Sequence, residues 1–407
     1  MISTTRLKRM VRLRSGGTPS VDGAEFWAEP GEGTPWVSIS DMSDGSVVER
    51  TDRELTGAGL RDRRLVVAPP GTLLFAMYAS VGAVAELGVS AVWNQALLGV
   101  EAREGLSDNR FVRYWLEHLR PELAGLVRSN TQDNLNAEQV GNLPFPVKSL
   151  ADQRAIADYL DTETARIDAL ITKKRRLIDL LEERFWESVA ARITAERGPL
   201  APLRRGLKSI TDGPFGSSLT SRHYSVEGAR VVRLGNVGFA EFKDEDKAFI
   251  PVAHYETLLR HRVRPGDLVI AGLGDSRHHV GRACVAPDLG AAIVKADCYC
   301  AEVDQSRADP HFLALVLSSP IGMHSVAIAA RGTTRSRINL DIAKEAVVPF
   351  PSLSAQRRIV ADSDSERKAT EFLVDALTRQ LLLLQEHRQA LITAAVTGKL
   401  EIPGAAA

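Results

Sequence analysis

The feature that most constrains this fold is an internal repeat. LPFPVKSLADQRAIA at residues 143–157 returns as VVPFPSLSAQRRIV at 347–360. Pro144-Phe145-Pro146 matches Pro349-Phe350-Pro351, and Gln153-Arg154-Ala155-Ile156 matches Gln356-Arg357-Arg358-Ile359. From there the copies align without a gap: Leu170-Ile171 falls on Leu373-Val374, Leu180-Leu181 on Leu383-Leu384, and Ile193-Thr194 on Val396-Thr397. The match also runs upstream. Asn134-Leu135-Asn136 lies over Asn339-Leu340-Asp341, residues 71–75 over 266–270, residues 36–41 over 231–236, and RLKRMVRLRSGG over PLRRGLKSITDG. A repeat of this span means a tandem duplication: globular half, long helix, globular half, long helix.

The helices follow from periodicity. Pro146 and Pro351 cannot sit inside a helix, so each punctuates an entry. Ser149 and Ser354 are the expected N-caps. Ile156, Leu160, Ile167, Leu170, Ile171, Leu177, Ile178, Leu181, Phe185, Val189 and Ile193 then recur at three- and four-residue steps. That spacing predicts an apolar stripe on a helix of roughly 45 residues, ~65 Å long. In the second copy Val374, Leu377, Leu381, Leu384, Leu391 and Ala395 approximate a coiled-coil seam, which ends at the C′ glycine Gly398. Two such stripes bury most simply against each other, antiparallel. The Pro-aromatic-Pro stretch is read as the turn where each half hands over to its helix.

Within the halves, short apolar runs bounded by Gly, Pro and Asp predict strands of a mixed sheet at 35–39, 71–78, 81–85, 229–234, 267–271 and 282–285. Helices are expected at 108–119 and 310–317. Strand order does not follow from the pattern. Between the elements lie SGGTPS, MYASVG and RSNTQDNLN in the first half, and TDGPFGSSLTSRH, GLGDSRHHVGR and RGTTRSRINL in the second. Hydroxyls and amides of this kind bond phosphate oxygens, and Arg, Asn and Gln read base edges.

The chain of 407 residues carries zero net charge, which argues against non-specific coating of nucleic acid. Basic groups are local: Arg6, Lys8, Arg9, Arg12 and Arg14; Arg260, Arg262 and Arg264; Arg331, Arg335 and Arg337. A spanning helix is not expected, the N-terminus has no secretory apolar core, and Cys284, Cys298 and Cys300 form no disulfide framework. A reducing cytoplasm fits best. No Walker glycine loop, dinucleotide fingerprint or nucleophile elbow occurs, and Ala68-Pro69-Pro70-Gly71 lacks the polar and aromatic residues of an amino-methyltransferase loop. His278-His279 and Cys298-x-Cys300 supply side chains of metal-ligand type. The cysteines alternate along a strand as core thiols, and the first half offers no equivalent, so no metal is expected.

On these motifs the chain resembles the specificity subunit of type I restriction–modification systems, over essentially its whole length. The resemblance rests on the two PFP-x-QR-I stretches opening long helices and on QEHRQALITAAVTGKL at 385–400. SGGTPS, GPFGSSL, WNQALLGV and the Asn-Leu before each hinge add to it. It departs from the family's Glu-Gln helix start with Asp152-Gln153 and Ala355-Gln356, and Ala296-Asp297 stands for the Asn-Gln of WNQAL. The resemblance implies an α+β fold: two target-recognition domains (mixed sheet plus short helices) separated by two long antiparallel α-helices forming a coiled coil, a pseudo-twofold tandem repeat. The boundaries are 1–143, 144–198, 199–348 and 349–407. It further implies that each domain reads half of a bipartite, asymmetric DNA target while the helices act as a ruler. Modification subunits carrying S-adenosylmethionine, two in number, dock on the chain, as do restriction subunits using ATP and Mg. The chain itself holds no cofactor and catalyses nothing.

Loop chemistry and repeat equivalence select the DNA-contact candidates. In the first half these are Thr18, Ser38, Ser40, Tyr78, Ser80, Asn94, Gln95, Arg128, Thr131, Gln132 and Asn134. In the second they are Phe215, Ser217, Ser218, Arg233, Asn236, Arg277, His278, His279, Arg331, Thr333, Arg335, Arg337 and Asn339. Replacing Arg335 or Arg337 with Ala is expected to weaken binding and lower its salt slope. The alternative reading is a coiled-coil assembly scaffold without sequence-specific readout of its own.

Overall fold

The structure, a computed structural model, describes residues 3–42, 47–129, 134–329 and 337–405, with the backbone alone at 124–129 and 329. The chain divides into two compact units: residues 1–174 with 379–407, and residues 175–378.

In the first unit a five-stranded sheet runs in the order Val11–Ser15, Leu97–Ala102, Leu73–Ala76, Val84–Leu87, Val47–Val48. Its pairs are antiparallel except the last, which is parallel. A second sheet orders Trp27–Ala28, Arg53–Leu55, Thr34–Val37 and Val92–Trp93, again with a parallel last pair. Leu73–Ala76 is buried on both faces, as a continuous apolar run requires. The helix Asn109–Ser129 covers the sheet through Phe111, Val112, Leu116 and Leu119.

The second unit repeats this plan. Leu207–Asp212, Cys298–Val303, Leu268–Ala271 and Ala283–Val285 form an antiparallel sheet, and Phe249–Ile250, Ala229–Val232 and Ala292–Val294 a smaller mixed one. The covering helix is here two pieces, Pro310–Ser318 and Pro320–Ala329, with a proline at the first position of each.

The first Pro-aromatic-Pro stretch is a strand rather than the turn expected from sequence, and the second is a strand only at Pro349, with Phe350 and Pro351 leading on to the helix. Pro144–Pro146 is a strand pairing with Thr4–Arg6, and Val347–Pro349 pairs with Leu200–Pro202. Proline is tolerated because these are two-stranded edges with no further ladder to satisfy. Phe145 is fully buried against Phe111 and Trp115, at 5.8 and 6.1 Å between ring centroids. Burial of that ring contributes about 1.5–3 kcal/mol.

Gln153 and Gln356, both fully buried, perform one task twice. Gln153 Oε1 accepts the Asp108 N–H at 3.0 Å, and its Nε2 donates to the Leu106 and Lys148 carbonyls at 3.1 and 3.0 Å. Gln356 takes the Asp309 N–H at 2.8 Å and donates to Arg307 and Pro351 at 3.1 and 2.9 Å. Each glutamine thus staples the start of a long helix to the loop before a covering helix.

The long helices span Leu150–Ala195 and Leu353–Val396, 46 and 44 residues. Ser149 caps the first, its Oγ accepting the Asp152 N–H at 3.1 Å. The second is capped by Ser352, not Ser354: the helix starts two residues earlier and Ser352 Oγ accepts from Ala355 at 3.3 Å. In the first unit Ile156 and Leu160 pack with Ile392, Ala395 and Val396, and Arg388 reaches Asp168 at 3.1 Å. In the second, Phe185, Val189 and Ile193 share a core with Ile359. There Glu366 takes Arg192 at 2.6 Å and Ser188 at 2.9 Å, and the Arg367 guanidinium lies over the Phe185 and Trp186 rings. The polar run 361–372 therefore packs through charge and cation–π contact. Within each unit the two helix segments run antiparallel. Leu170 and Leu177, expected in the buried stripe, are 47% and 45% exposed because they fall to one side of its row.

Candidate nucleic-acid interface

Loops gather where strands of both sheets end, and in each unit the backbone joins them by the same bonds. In the first unit Asn94 N–H donates to Val37 O (2.9 Å), Met77 N–H to Ala96 O (2.9 Å) and Leu135 N–H to Met77 O (3.0 Å). In the second, Lys295 N–H donates to Val232 O (2.8 Å), Gly272 N–H to Asp297 O (2.7 Å) and Ile338 N–H to Gly272 O (2.9 Å). These bonds set Asn94 on Lys295 and Gln95 on Ala296, one position from the correspondence read in the sequence. The glycines of SGGTPS and TDGPFG belong to the same junctions. A Cβ on Gly16 would lie 2.2 Å from Asn94 O, and one on Gly213 2.0 Å from Lys295 C. Only glycine lets these backbones approach so closely.

The first-unit junction gathers most of the first-half candidates. Thr18 Oγ1 bonds Gln95 Oε1, and Gln95 is exposed. Ser38 Oγ bonds Asp41 at 2.6 Å and Ser40 at 2.7 Å, forming a capping box at 38–41. Tyr78 is 39% exposed and Ser80 exposed, on the loop that begins at Met77. Asn94 Oδ1 accepts from Ala96 N–H at 3.1 Å, so its carbonyl serves the turn. Asn134 is exposed beside Leu135. Arg128 lies in the covering helix with its side chain outside the description, and Thr131 and Gln132 lie outside the described residues.

The second unit treats its candidates less evenly. Phe215, 52% exposed, precedes the exposed turn Gly216–Ser218 that carries Ser217 and Ser218. Arg277 is exposed. Arg337 stands at the junction, its Nη2 2.7 Å from Asp297 Oδ1. Three others have structural work. Arg233 is held in an ion pair with Asp246 through both Nε and Nη2. Asn236 is fully buried, accepting from Arg233 N–H and donating to the Lys243 and Asp246 carbonyls. Asn339 caps the helix Leu340–Glu345, accepting from Ile342 N–H at 2.8 Å. His278 stacks on Phe239, and His279 packs on that ring with Nε2 3.2 Å from Ser318 O, so the His279 ring lies against the end of the covering helix. Arg331, Thr333 and Arg335 lie outside the described residues.

Electrostatics at these loops are local. Backbone N–H groups of Arg277 and His278, with the His278 ring, hold the exposed Asp275 carboxyl at about 2. Burial pushes the Asp212 carboxyl up, and Asp297 adds to it. Burial also raises the three thiols, Cys284 to about 12, which keeps them protonated core groups. Two residues escaped the sequence reading. Arg53, exposed, lies 3.3 Å over the Trp27 ring from a neighbouring strand. Lys295 stands 5.9 Å from the Tyr224 ring. Correct repeat register would have found Lys295; nothing local marks Arg53. Exposed hydroxyls, amides and guanidinium groups on converging loops suit polar recognition of an extended partner.

Residues 3–180 match the family described as the type I restriction modification DNA specificity domain. The type I restriction enzyme EcoBI specificity subunit of Escherichia coli is 21% identical over 395 residues, covering 91% of this chain and 80% of that one. The MjaIX specificity subunit of Methanocaldococcus jannaschii is 23% identical over 181 residues, 44% of this chain and 40% of that one, so the match spans less than half the relative's length. A solved chain from work on complex assembly and conformational transition of the type I R-M system superposes with a TM-score of 0.67 at 17% identity, covering 98% of both chains, and shares the fold.

Proposed function

We propose, from the match of residues 3–180 to the type I restriction modification DNA specificity domain, that this chain is a member of that family and reads a two-part DNA target with one loop junction per unit. One observation carries the proposal: the same backbone junction is built twice, and different side chains are mounted on it. Thr18, Tyr78, Ser80 and Gln95 occupy the first junction; Phe215, Lys295, Asp297 and Arg337 occupy the second. A shared frame with different readers suits two unlike half-sites, hence an asymmetric target. Exposed Ser, Thr and Arg groups position the chain on phosphates, and Gln, Lys and Arg address base edges.

In this reading the chain is the non-catalytic address of a larger complex. Modification subunits would supply S-adenosylmethionine and methylate adenine; restriction subunits would supply ATP- and Mg-dependent cleavage. The complex works in the cytoplasm, where the DNA is. Buried, free cysteines are in keeping with that compartment. Among the described residues no single helix is long and apolar enough to cross a membrane.

Genome-wide mapping of methylated adenines, with and without the gene, tests the proposal. A two-part motif that vanishes on deletion is expected. Changing Tyr78 and Gln95 together to Ala should relax one half-site and leave the other intact. A motif indifferent to deletion sinks the reading.

A further inference from the structure

Among the described residues, the ion pair at the second junction has no counterpart at the first. The backbone position of Asp297 is held there by Ala96, which carries no charge. Asp297 is itself fixed: its carbonyl accepts the Gly272 N–H at 2.7 Å, and it adopts φ +68, a left-handed conformation that non-glycine residues other than Asn and Asp seldom take. Arg337 is fixed from the other side by a bridge to Leu273, and the next residue, Ile338, donates to Gly272 and accepts from Tyr299 OH at 2.5 Å. One dipeptide, Gly272-Leu273, therefore sets both residues.

The pair is asymmetric in exposure. Asp297 Oδ1 is buried and takes no aligned hydrogen bond, so the guanidinium meets it by charge at close approach. The Arg337 side chain is 53% exposed, and among the described residues Asp297 is its one ion-pair partner. A guanidinium has five N–H donors in a rigid fork, so most remain uncommitted. We propose that Asp297 positions Arg337 as the reader of a guanine in the second half-site. This inference rests on the DNA-reading function proposed above and names the base pair that one residue addresses.

The chemistry favours a base over a phosphate. A phosphate-binding arginine gains from unbalanced positive charge, whereas here Asp297 cancels it and Asp212 adds a second carboxylate nearby. A neutralised but well-aimed fork suits the O6 and N7 acceptors of guanine, which present two lone-pair sites at matching spacing in the major groove. This departs from the expectation, drawn from sequence, that Arg337 grips the backbone.

The test uses the full chain with its modification subunits and reads the methylated motif and the salt dependence of binding. In R337A and R337K, one G·C position of one half-site should become degenerate, with discrimination falling roughly 10- to 100-fold. The other half-site should persist, which also reports that the variants fold. R337K keeps the charge and loses the fork, so it separates geometry from electrostatics. In D297N the same position should relax while the salt slope steepens by about one, as the released guanidinium turns to a phosphate. An intact motif in both Arg337 variants overturns the assignment, and so does a slope that falls by about one in R337A with the motif unchanged. D297N with wild-type motif and slope overturns the role of Asp297. A wild-type complex without any two-part motif would instead remove the DNA-reading premise, an outcome visible before any variant is made.

Discussion

At the scale of single residues, Gln153 and Gln356 show why a motif can recur without touching a ligand. Each side chain satisfies one backbone N–H and two carbonyls from inside a fully buried site. An alanine there removes all three partners and leaves buried polar groups unpaired, each costing about 1–3 kcal/mol. Q153A should therefore destabilise the first unit by about 3–5 kcal/mol, and Q356A the second by a similar amount. Amide hydrogen exchange on each variant checks this, with faster exchange confined to the unit that lost its glutamine. The loop residues behave differently. Asn236 and Asn339 resemble readers in sequence, but a buried site and a helix cap consume their amides. A short polar side chain near a turn serves the nearest backbone first, because that partner costs no further ordering.

Among elements, the fully buried residues of the long helices lie toward their ends, where helix packs on helix and on a globular half. Arg388 illustrates this in the first unit. It meets Glu117 at 3.1 Å and Asp168 at 3.1 Å, and Glu117 is only 6% exposed. Removing the guanidinium leaves the buried Glu117 carboxylate with Arg113 as its remaining ion-pair partner among the described residues, at the longer distance of 3.8 Å. R388A should cost about 2 kcal/mol, less than a fully buried pair because the arginine itself keeps some solvent. R388M, which keeps the stem, should recover part of that loss through packing. Chemical denaturation of the three chains measures both effects; equal midpoints for wild type and R388A would show the network to be idle.

For the whole molecule, two compact units share two continuous helices, so the helices are the covalent route between the readers. Inserting seven residues into each, near 174–175 and 378–379, adds about two turns and nearly preserves the face each helix presents. If the helices act as the ruler that the family resemblance implies, both half-site sequences survive while the unread gap between them changes length. Mapping of methylated adenines reads this directly. A gap of unchanged length, with both half-sites present, would remove the helices from the spacing mechanism.

The sequence by itself determined the duplication, the two long helices and a minority of the strands, among them those at Leu73–Ala76, Ala229–Val232 and Leu268–Ala271. These depend on local periodicity and on chain punctuation, which any window of residues carries. Strand order, the pairing of the PFP stretches with distant N-terminal strands, and the placement of Ser352 as cap awaited the tertiary structure. So did the union of five loops at each junction, and with it the Asp297–Arg337 pair. Residues that meet there are separated by tens to hundreds of positions, and what brings them together is backbone hydrogen bonding between loop ends, which leaves little mark on side-chain identity beyond two glycines that must make room.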